Sequence, residues 1–265
     1  MFNKIKEFVK RSFIGPCVFR VYLRLHRKFY GYPESKDSIY NKQTIAVMRR
    51  VLRPDSSCVD IGANQGEVLM EMQKFSRKGM HTAIEPLPHL ASRLKNKFPR
   101  VRVFECALSS HPGSATFNYV VNSEPLSGLR PRKYDRTDLV IKPIHVDVRT
   151  LDDVIPHERK IKFLKIDCEG AEYEILQGGR RVIGDSKPYI VFEAGADSTG
   201  YYGVTPTMMY DLIVADYGYC LSTMDRWLRG AEPFSSEEFG ANWGGGIDSD
   251  YYFLAYPSRE ACAKV

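Results

Sequence analysis

The stretch that decides the fold is a glycine-containing loop between a short apolar strand and a helix, Val59-Asp60-Ile61-Gly62-Ala63-Asn64-Gln65-Gly66. Gly62 allows the backbone to turn sharply and to approach a ligand, because glycine adopts positive φ without a steric penalty. Asn64 is one of the few other residue types that tolerate a left-handed backbone, and Gly66 permits close packing where the helix begins. A loop of this kind, at the carboxyl end of a strand, is the usual ligand position in open α/β sheets.

The spacing of the glycines excludes two common nucleotide-binding motifs. The dinucleotide fingerprint needs glycines at i, i+2 and i+5, whereas here they stand at i and i+4, and no Gly-Lys-Ser/Thr follows as in a Walker loop. Glu85 lies 19 residues after Gly66, at the end of the next predicted strand. An acid there can accept hydrogen bonds from both ribose hydroxyls of a nucleoside. Either feature alone fits a plain turn or a solvated glutamate, but the pair predicts a nucleoside-containing ligand.

Short apolar strands and helices alternate on both sides of this loop, which predicts a mainly parallel sheet covered by helices. Strands are predicted at residues 57–61, 80–84, 101–108, 161–166 and 189–192, and helices at 41–52, 66–75, 87–98, 171–183 and 205–216. Residues 114–121 and 141–148 are β-rich and predict an inserted or edge β-element, with a polar, basic loop between them. Residues 219–223 and 251–256 are predicted to close the sheet as an antiparallel pair.

The positive charge of the chain is concentrated at its amino-terminal end. Residues 1–30 hold eight basic residues and one acid, a net charge of +7, whereas the whole chain has a net charge of +6. The rest of the chain therefore carries a net charge of about −1. We predict a basic amphipathic helical arm over residues 1–40, followed by one domain over residues 41–265. The arm is a candidate for contact with an anionic membrane or a phosphorylated acceptor, and equally for a lid or a dimer element. A nearly neutral body argues against a nucleic-acid partner.

The six cysteines and the apolar segments indicate the compartment. The cysteines stand far apart with no Cys-x-x-Cys pair, so neither a zinc site nor a dense disulfide framework is predicted. No run of about 18 apolar residues is present, and no small-residue cleavage site follows the basic amino-terminal segment. We therefore expect a soluble cytoplasmic protein, with the arm as its one candidate for peripheral membrane contact.

A third signal gives the family. Residues 163–178 read Phe-Leu-Lys-Ile-Asp-Cys-Glu-Gly-Ala-Glu-Tyr-Glu-Ile-Leu-Gln-Gly. Together with the loop at residues 60–66, this stretch resembles the FkbM family of S-adenosylmethionine-dependent O-methyltransferases. In that family an Asp-Ile-Gly-Ala-Asn-x-Gly loop precedes a Lys-Ile-Asp-x-Glu-Gly-Ala-Glu segment. Shorter matches at residues 107–109, 150–153 and 191–193 extend the likeness over about residues 45–255.

The resemblance implies a Rossmann-like class I methyltransferase fold, with a mostly parallel seven-stranded sheet and helices on both faces. It also implies S-adenosylmethionine as cofactor: the glycine loop would surround its methionine part, Glu85 would hold the ribose, and residues 106–107 would lie near the adenine. The cofactor-binding residues expected on this basis are Asp60, Gly62, Ala63, Asn64, Gly66, Glu85, Pro86, Cys106, Ala107 and Asp167. Cys106 departs from the family, because many members carry a polar residue there.

Three carboxylates are candidates for the chemistry: Asp167, Glu169 and Glu193. Asp167 ends its strand at the same sheet edge as the glycine loop, and Lys165 alternates with it on that strand, so a pairing would keep Asp167 ionised. Glu169 is a candidate for the general base and equally for a loop-locking cap, and Glu193 is a further candidate base. The three acids could gather a divalent cation, but their spacing is not a diagnostic ligand set, so we predict no metal.

The function predicted from these features is methyl transfer to a hydroxyl group of a sugar, glycolipid or related small-molecule acceptor. A nucleic-acid methyltransferase is the first alternative. Amino-group enzymes acting on bases often carry Asn/Asp-Pro-Pro-Tyr/Phe after the fourth strand, where this chain has Asp167-Cys168-Glu169-Gly170. The second alternative is a non-catalytic module that binds a nucleoside or a membrane. A homo-oligomer is compatible with the sequence. The segment around Trp243 is interpreted as a plain connector, and His145 as a packed histidine.

Overall fold

The computed structural model describes residues 34–132, 134, 136–243 and 249–258. The chain divides into two units, Met1–Tyr40 and Asn41–Val265, and the helix α1 (Lys36–Val51) begins in the first unit and ends in the second. Most of the predicted basic arm lies outside the described residues, so its helical character stays a prediction. No helix in the described ranges combines the length and the apolar character needed to cross a bilayer.

In the described part of the chain, ten strands and eight further helices follow α1. The strands are β1 (Cys58–Ile61), β2 (Thr82–Ile84), β3 (Arg102–Phe104), β4 (Ala107–Leu108), β5 (Gly113–Val120), β6 (Ile141–Arg149), β7 (Phe163–Ile166), β8 (Tyr189–Glu193), β9 (Tyr219–Ser222) and β10 (Tyr252–Pro257). The helices are α2 (Glu67–Phe75), α3 (Pro88–Lys97), α4 (Leu151–Val154), α5 (Glu172–Gln177), α6 (Arg180–Ser186), α7 (Pro206–Tyr210), α8 (Met224–Leu228) and α9 (Ser236–Asn242). Short 3₁₀ turns occupy Glu124–Leu126 and Thr199–Tyr202, and a π-helical turn, Asp211–Asp216, continues α7.

Seven strands form one sheet in the order β3-β2-β1-β7-β8-β10-β9, with β10 antiparallel to both of its neighbours. The chain moves outward from β1 to β3, and then returns to the other side of β1 through β7 and β8. Because parallel crossovers are right-handed, this reversal puts α2 and α3 on one face and α5 and α6 on the other. The expected class I methyltransferase architecture is confirmed, and so is the closing antiparallel pair.

The prediction of one strand over residues 101–108 is wrong. The chain leaves the large sheet after Phe104, and Ala107 and Leu108 pair in parallel with β6 in a second sheet of order β4-β6-β5. β5 and β6 are antiparallel over eight residue pairs, so the predicted inserted β-element is a sheet of its own. Its inner face packs Phe117, Val146 and Val148 against the start of α3.

The prediction of one helix over residues 171–183 is also wrong, because Gly178 and Gly179 separate α5 from α6. A Cβ atom on Gly178 would lie 2.3 Å from the carbonyl oxygen of Ser109, so this close approach of two backbones requires glycine. The interpretation of His145 as a packed histidine is wrong as well, because His145 is exposed on β6. Trp243 is buried and meets Phe239 edge-on with ring centroids 5.4 Å apart. Residues 244–248 of the connector that follows lie outside the described residues, so that interpretation stays a prediction.

Candidate active site

A pocket lies at the carboxyl edge of the large sheet, where β1, β2 and β7 end. Its free space, including the part that is open to solvent, is about 540 Å³. The predicted site residues that line it are Gly62, Asn64, Glu85, Pro86, Cys106, Ala107, Asp167 and Glu169. Four other predicted residues, Asp60, Ala63, Gly66 and Glu193, stand behind or beside the lining. The pocket therefore collects residues from all three sequence signals.

The turn after β1 is fixed by its backbone. Gly62 has φ 75°, and the N–H groups of Gly62 and Ala63 both donate to the carbonyl oxygen of Ile84, over 3.0 and 3.1 Å. A Cβ atom on Gly62 would lie 1.9 Å from the carbonyl oxygen of Asp167. Only glycine fits this position, because the turn after β1 and the segment after β7 pack directly against each other.

Glu85 is tied to the glycine loop by hydrogen bonds. Asn64, at φ 47°, donates its N–H to Glu85 Oε2 over 2.8 Å, and the N–H of Leu87 donates to Oε1 over 3.0 Å. The Glu85 residue is only 4% exposed, and this burial raises the pKa of its carboxyl to about 7. Each oxygen keeps a second lone pair for a ligand, so the acid can still receive hydroxyl groups.

Two buried groups, one behind the lining and one within it, have altered pKa values. Asp60 lies opposite Lys165 in the register of β1 and β7, and burial raises the pKa of the Asp60 carboxyl to about 6 although the Lys165 charge opposes the shift. Burial also raises the pKa of the Cys106 thiol to about 11. The Cys106 side chain is thus a neutral, weakly polar part of the wall at neutral pH.

Asp167 is held by two donors from different strands. Lys165 Nζ lies 2.8 Å from Asp167 Oδ2, and the Tyr252 hydroxyl donates to the same oxygen over 2.6 Å. Burial disfavours the charge on Asp167, but the Lys165 ammonium and the hydrogen bonds from Glu193, Lys165 and Tyr252 together outweigh burial, so the pKa of Asp167 falls below its usual value. The expected Lys165–Asp167 pairing is present, and Asp167 is a carboxylate at neutral pH.

Glu169 has the opposite electrostatic character, although it lies only two residues further on. It adopts φ 57° and forms an ion pair with Arg132, in which both side chains are largely buried. Burial raises the pKa of the Glu169 carboxyl to about 8, against the lowering effect of Arg132. Glu193 is raised well above the usual pKa of a glutamate, by burial and by the neighbouring Asp167 charge. The cluster therefore combines one stable carboxylate, Asp167, with two acids, Glu169 and Glu193, whose pKa values are raised.

Asp167, Glu169 and Glu193 each bring a carboxylate oxygen within 4.8 Å of the others. That separation would allow the three to share a metal ion. Two cationic side chains, Lys165 and Arg132, already pair with two of these acids. The absence of a metal stays a prediction, and the cations supply a charge balance that does not need one.

The second sheet contributes a wall that the motifs do not reveal. Its lining residues are Phe117, Glu124, Pro125, Ser127 and Leu129. Arg132, which pairs with Glu169, follows in the same loop, and Arg130 pairs with Glu174 over 3.3 Å. The polar, basic character of this loop was the available signal, but nothing in the sequence indicated which of its side chains reach the pocket.

Comparisons with known proteins identify a family and several relatives. Residues 60–221 match the family model described as the methyltransferase FkbM domain. The chain is 24% identical over 184 residues to the 2-O-methyltransferase NoeI of Sinorhizobium fredii, covering 63% of this chain and 72% of NoeI. It is 24% identical over 176 residues to Methyltransferase 1 of Beauveria bassiana, covering 58% and 70%. A crystal structure of a methyltransferase FkbM from Methylobacillus flagellatus is 20% identical, with TM-score 0.45, over 77% of this chain and 44% of that one.

The chain belongs to the FkbM methyltransferase family, and it is an S-adenosylmethionine-dependent methyltransferase. The residues present fit that cofactor. The pocket has a buried carboxylate in Glu85 that can accept hydrogen bonds from hydroxyl groups. It also has an apolar part of its lining, formed by Leu87, Phe117 and Leu129, that suits a flat ring. The predicted role of each residue toward the cofactor remains a proposal.

Proposed function

We propose that this enzyme methylates a hydroxyl group of a sugar, glycolipid or related small-molecule acceptor, with Glu169 as the general base. The observation that carries the proposal is the meeting of Asp167, Glu169 and Glu193 at the edge of the pocket, beside the Gly62 turn. A relative that is a 2-O-methyltransferase supports a hydroxyl acceptor. When bound, S-adenosylmethionine supplies an electrophilic methyl group on a sulfonium.

The three acids differ in their fitness as a base. Asp167 already accepts hydrogen bonds from Lys165 and Tyr252, and its lowered pKa makes it a weak proton acceptor. Glu193 does not line the pocket, and its strongly raised pKa keeps it protonated. Glu169 lines the pocket and has a pKa of about 8, near the working pH at which a general base is most effective. We therefore assign the removal of the acceptor proton to Glu169.

The remaining residues of the cluster hold the acids in position and offset their negative charge. Lys165 and Tyr252 hold the Asp167 carboxylate in one position, so that its charge faces the site without taking the acceptor proton. Arg132 fixes the Glu169 carboxylate and limits the charge of the cluster. Positioning of this kind supplies a large share of the acceleration in methyl transfer.

The variant Glu169→Gln tests this assignment. We expect kcat to fall by about 10²- to 10⁴-fold, the usual contribution of a general base, while affinity for S-adenosylhomocysteine stays within about threefold. Turnover is measured as methyl transfer from labelled S-adenosylmethionine to a panel of oligosaccharides, glycolipids and hydroxylated natural products. Calorimetry measures the affinity.

Glu174→Gln is the matched control, because Glu174 also pairs with an arginine of the same loop but does not line the pocket. It should keep full turnover. Unchanged turnover in Glu169→Gln would show that the base lies elsewhere. Methylation of amines or nucleic acid, with no transfer to any hydroxyl of the panel, would contradict the proposed acceptor class.

A further inference from the structure

One part of the pocket lining is apolar and also holds a carboxylate that the proposed reaction does not use. Leu87, Ala107 and Phe117 are buried together there, and Leu129 packs against them. Glu124 joins this lining from the 3₁₀ turn between β5 and β6, and its side chain is 23% exposed. We call this part of the pocket the apolar slot.

The Glu124 carboxylate is oriented from one side only. His89 Nε2 lies 2.6 Å from Glu124 Oε1, and the His89 ring packs against Tyr119 with centroids 5.7 Å apart. Among the residues that the structure describes, none hydrogen-bonds to Oε2. The turn itself is closed by the N–H of Ser127, which donates to the Glu124 carbonyl oxygen over 3.1 Å. One oxygen is thus anchored, and the other is available to a ligand in the slot.

We propose that Glu124 selects the adenine ring of the cofactor by accepting a hydrogen bond from its exocyclic amino group through Oε2. The apolar walls suit the faces of a purine, and the neighbouring Cys106 and Ala107 offer no strong side-chain acceptor. Glu85, the other acid of this region, already receives the N–H groups of Asn64 and Leu87. The inference concerns the cofactor alone, so it stands independently of the acceptor and of the base.

Ser127 completes the pattern that an adenine edge requires. Its hydroxyl oxygen accepts the N–H of Val120 over 2.9 Å, and within the described ranges no residue takes the hydroxyl proton. The turn therefore presents an acceptor on Glu124 and a donor on Ser127. Adenine offers the complementary pair, an amino donor and a ring-nitrogen acceptor. Hypoxanthine carries a carbonyl oxygen in place of the amino group, which would face the Glu124 carboxylate and be repelled.

Calorimetry without acceptor tests the inference. S-adenosylhomocysteine and S-inosylhomocysteine, which differ in the group at C6 of the purine and in the proton that hypoxanthine carries on N1, are titrated into the wild type, Glu124→Ala and Glu124→Gln. We expect the wild type to bind the adenine compound about 10- to 100-fold more tightly, the range of a hydrogen bond to a charged group. Glu124→Ala should reduce this ratio to about threefold or less. Glu124→Gln, whose amide offers both an acceptor and a donor, should give an intermediate ratio.

Glu158→Ala is the control for the loss of one negative charge, because Glu158 is exposed and does not line the pocket. Its ratio should equal that of the wild type, and the melting temperatures of all variants should agree within a few degrees. A wild type without preference between the two compounds would overturn the inference. So would a Glu124→Ala variant that weakens both compounds equally, since Glu124 would then only hold the turn.

Discussion

Two walls of the pocket differ in how they are held. We call the residues of the three sequence signals that border the pocket, 60–66, 85–87 and 165–169, the motif wall. The hairpin wall is the part of the second sheet and its loop at residues 115–132. In the motif wall the backbone makes the decisive contacts, such as the two N–H groups that donate to Ile84 and the approach of Gly62 to Asp167.

The hairpin wall is joined to the rest of the site by side-chain pairs. These are His89 with Glu124, Arg130 with Glu174, and Arg132 with Glu169. Backbone contacts at positive φ leave no room for another side chain, whereas a solvent-exposed ion pair such as Arg130–Glu174 can be replaced with little effect on folding. Changes in the motif wall should therefore damage folding and cofactor binding. Changes in the hairpin wall should alter selectivity and pH dependence while the fold survives.

The largest effect is expected from Gly62→Ala. The new Cβ atom would lie 1.9 Å from the Asp167 carbonyl oxygen at a residue with φ 75°, so both steric overlap and backbone strain oppose the native state. We expect the free energy of unfolding to fall by about 3 kcal/mol or more, with loss of cofactor binding. Chemical denaturation followed by circular dichroism measures the change.

Gly113→Ala is the matching change at the start of the hairpin. No heavy atom lies within 4 Å of a Cβ atom built there, so the free energy of unfolding should change by no more than about 0.5 kcal/mol. Equal losses in the two variants would contradict the distinction between the walls. A Gly62→Ala protein as stable as the wild type would remove the claim that backbone packing fixes the motif wall.

The motif wall could be predicted from the sequence because its determinants are local. Gly62, Glu85 and Asp167 each end a strand of a parallel sheet, and parallel strands bring their carboxyl ends to one edge. The hairpin wall could not be predicted in the same way. Its position depends on β4 leaving the large sheet and pairing with β6, a choice of strand partner that the apolar run at residues 101–108 does not reveal.

The second-largest effect is expected from Glu85→Gln, and it concerns the affinity for the cofactor. The amide keeps the size of the side chain and one acceptor oxygen, but it loses the charge that favours two hydroxyl donors. We expect affinity for S-adenosylhomocysteine to fall by about 10- to 100-fold, measured by calorimetry at a pH above 7, where the wild-type acid, with its pKa of about 7, is ionised.

Glu105→Gln controls for the change of an acid to an amide at the end of the neighbouring strand. Glu105 is exposed and pairs with Lys95 on the surface, so its replacement should leave affinity unchanged. If Glu85→Gln binds as tightly as the wild type, the ribose role proposed for Glu85 is lost. The distinction between the motif wall and the hairpin wall would then be supported only by the measurements of unfolding free energy.

The sequence could not rank Asp167 and Glu169 as bases, although it identified both. Their pKa values move in opposite directions because their partners come from distant parts of the chain. Tyr252, 85 residues after Asp167, donates to its carboxylate, and Arg132 reaches Glu169 from the hairpin loop. Only the folded arrangement brings these partners together, so a pattern of acids two residues apart carries no information on which one holds a proton.

The smallest effect, and the one most specific to the hairpin wall, is expected from Arg132→Gln. Arg132 lowers the pKa of Glu169 against the effect of burial, so its removal should raise that pKa above the present value of about 8. A general base acts when it is unprotonated, so the rate rises with pH through this pKa and the rising limb of kcat should move to higher pH. At pH 7 kcat should fall about fivefold, the factor that corresponds to ~1 kcal/mol, and the two proteins should converge above the raised pKa. Arg136→Gln, in the same loop but paired with the exposed Asp138, should leave the profile unchanged. A uniform loss of rate at every pH would show that Arg132 positions the acceptor instead of setting the protonation of Glu169.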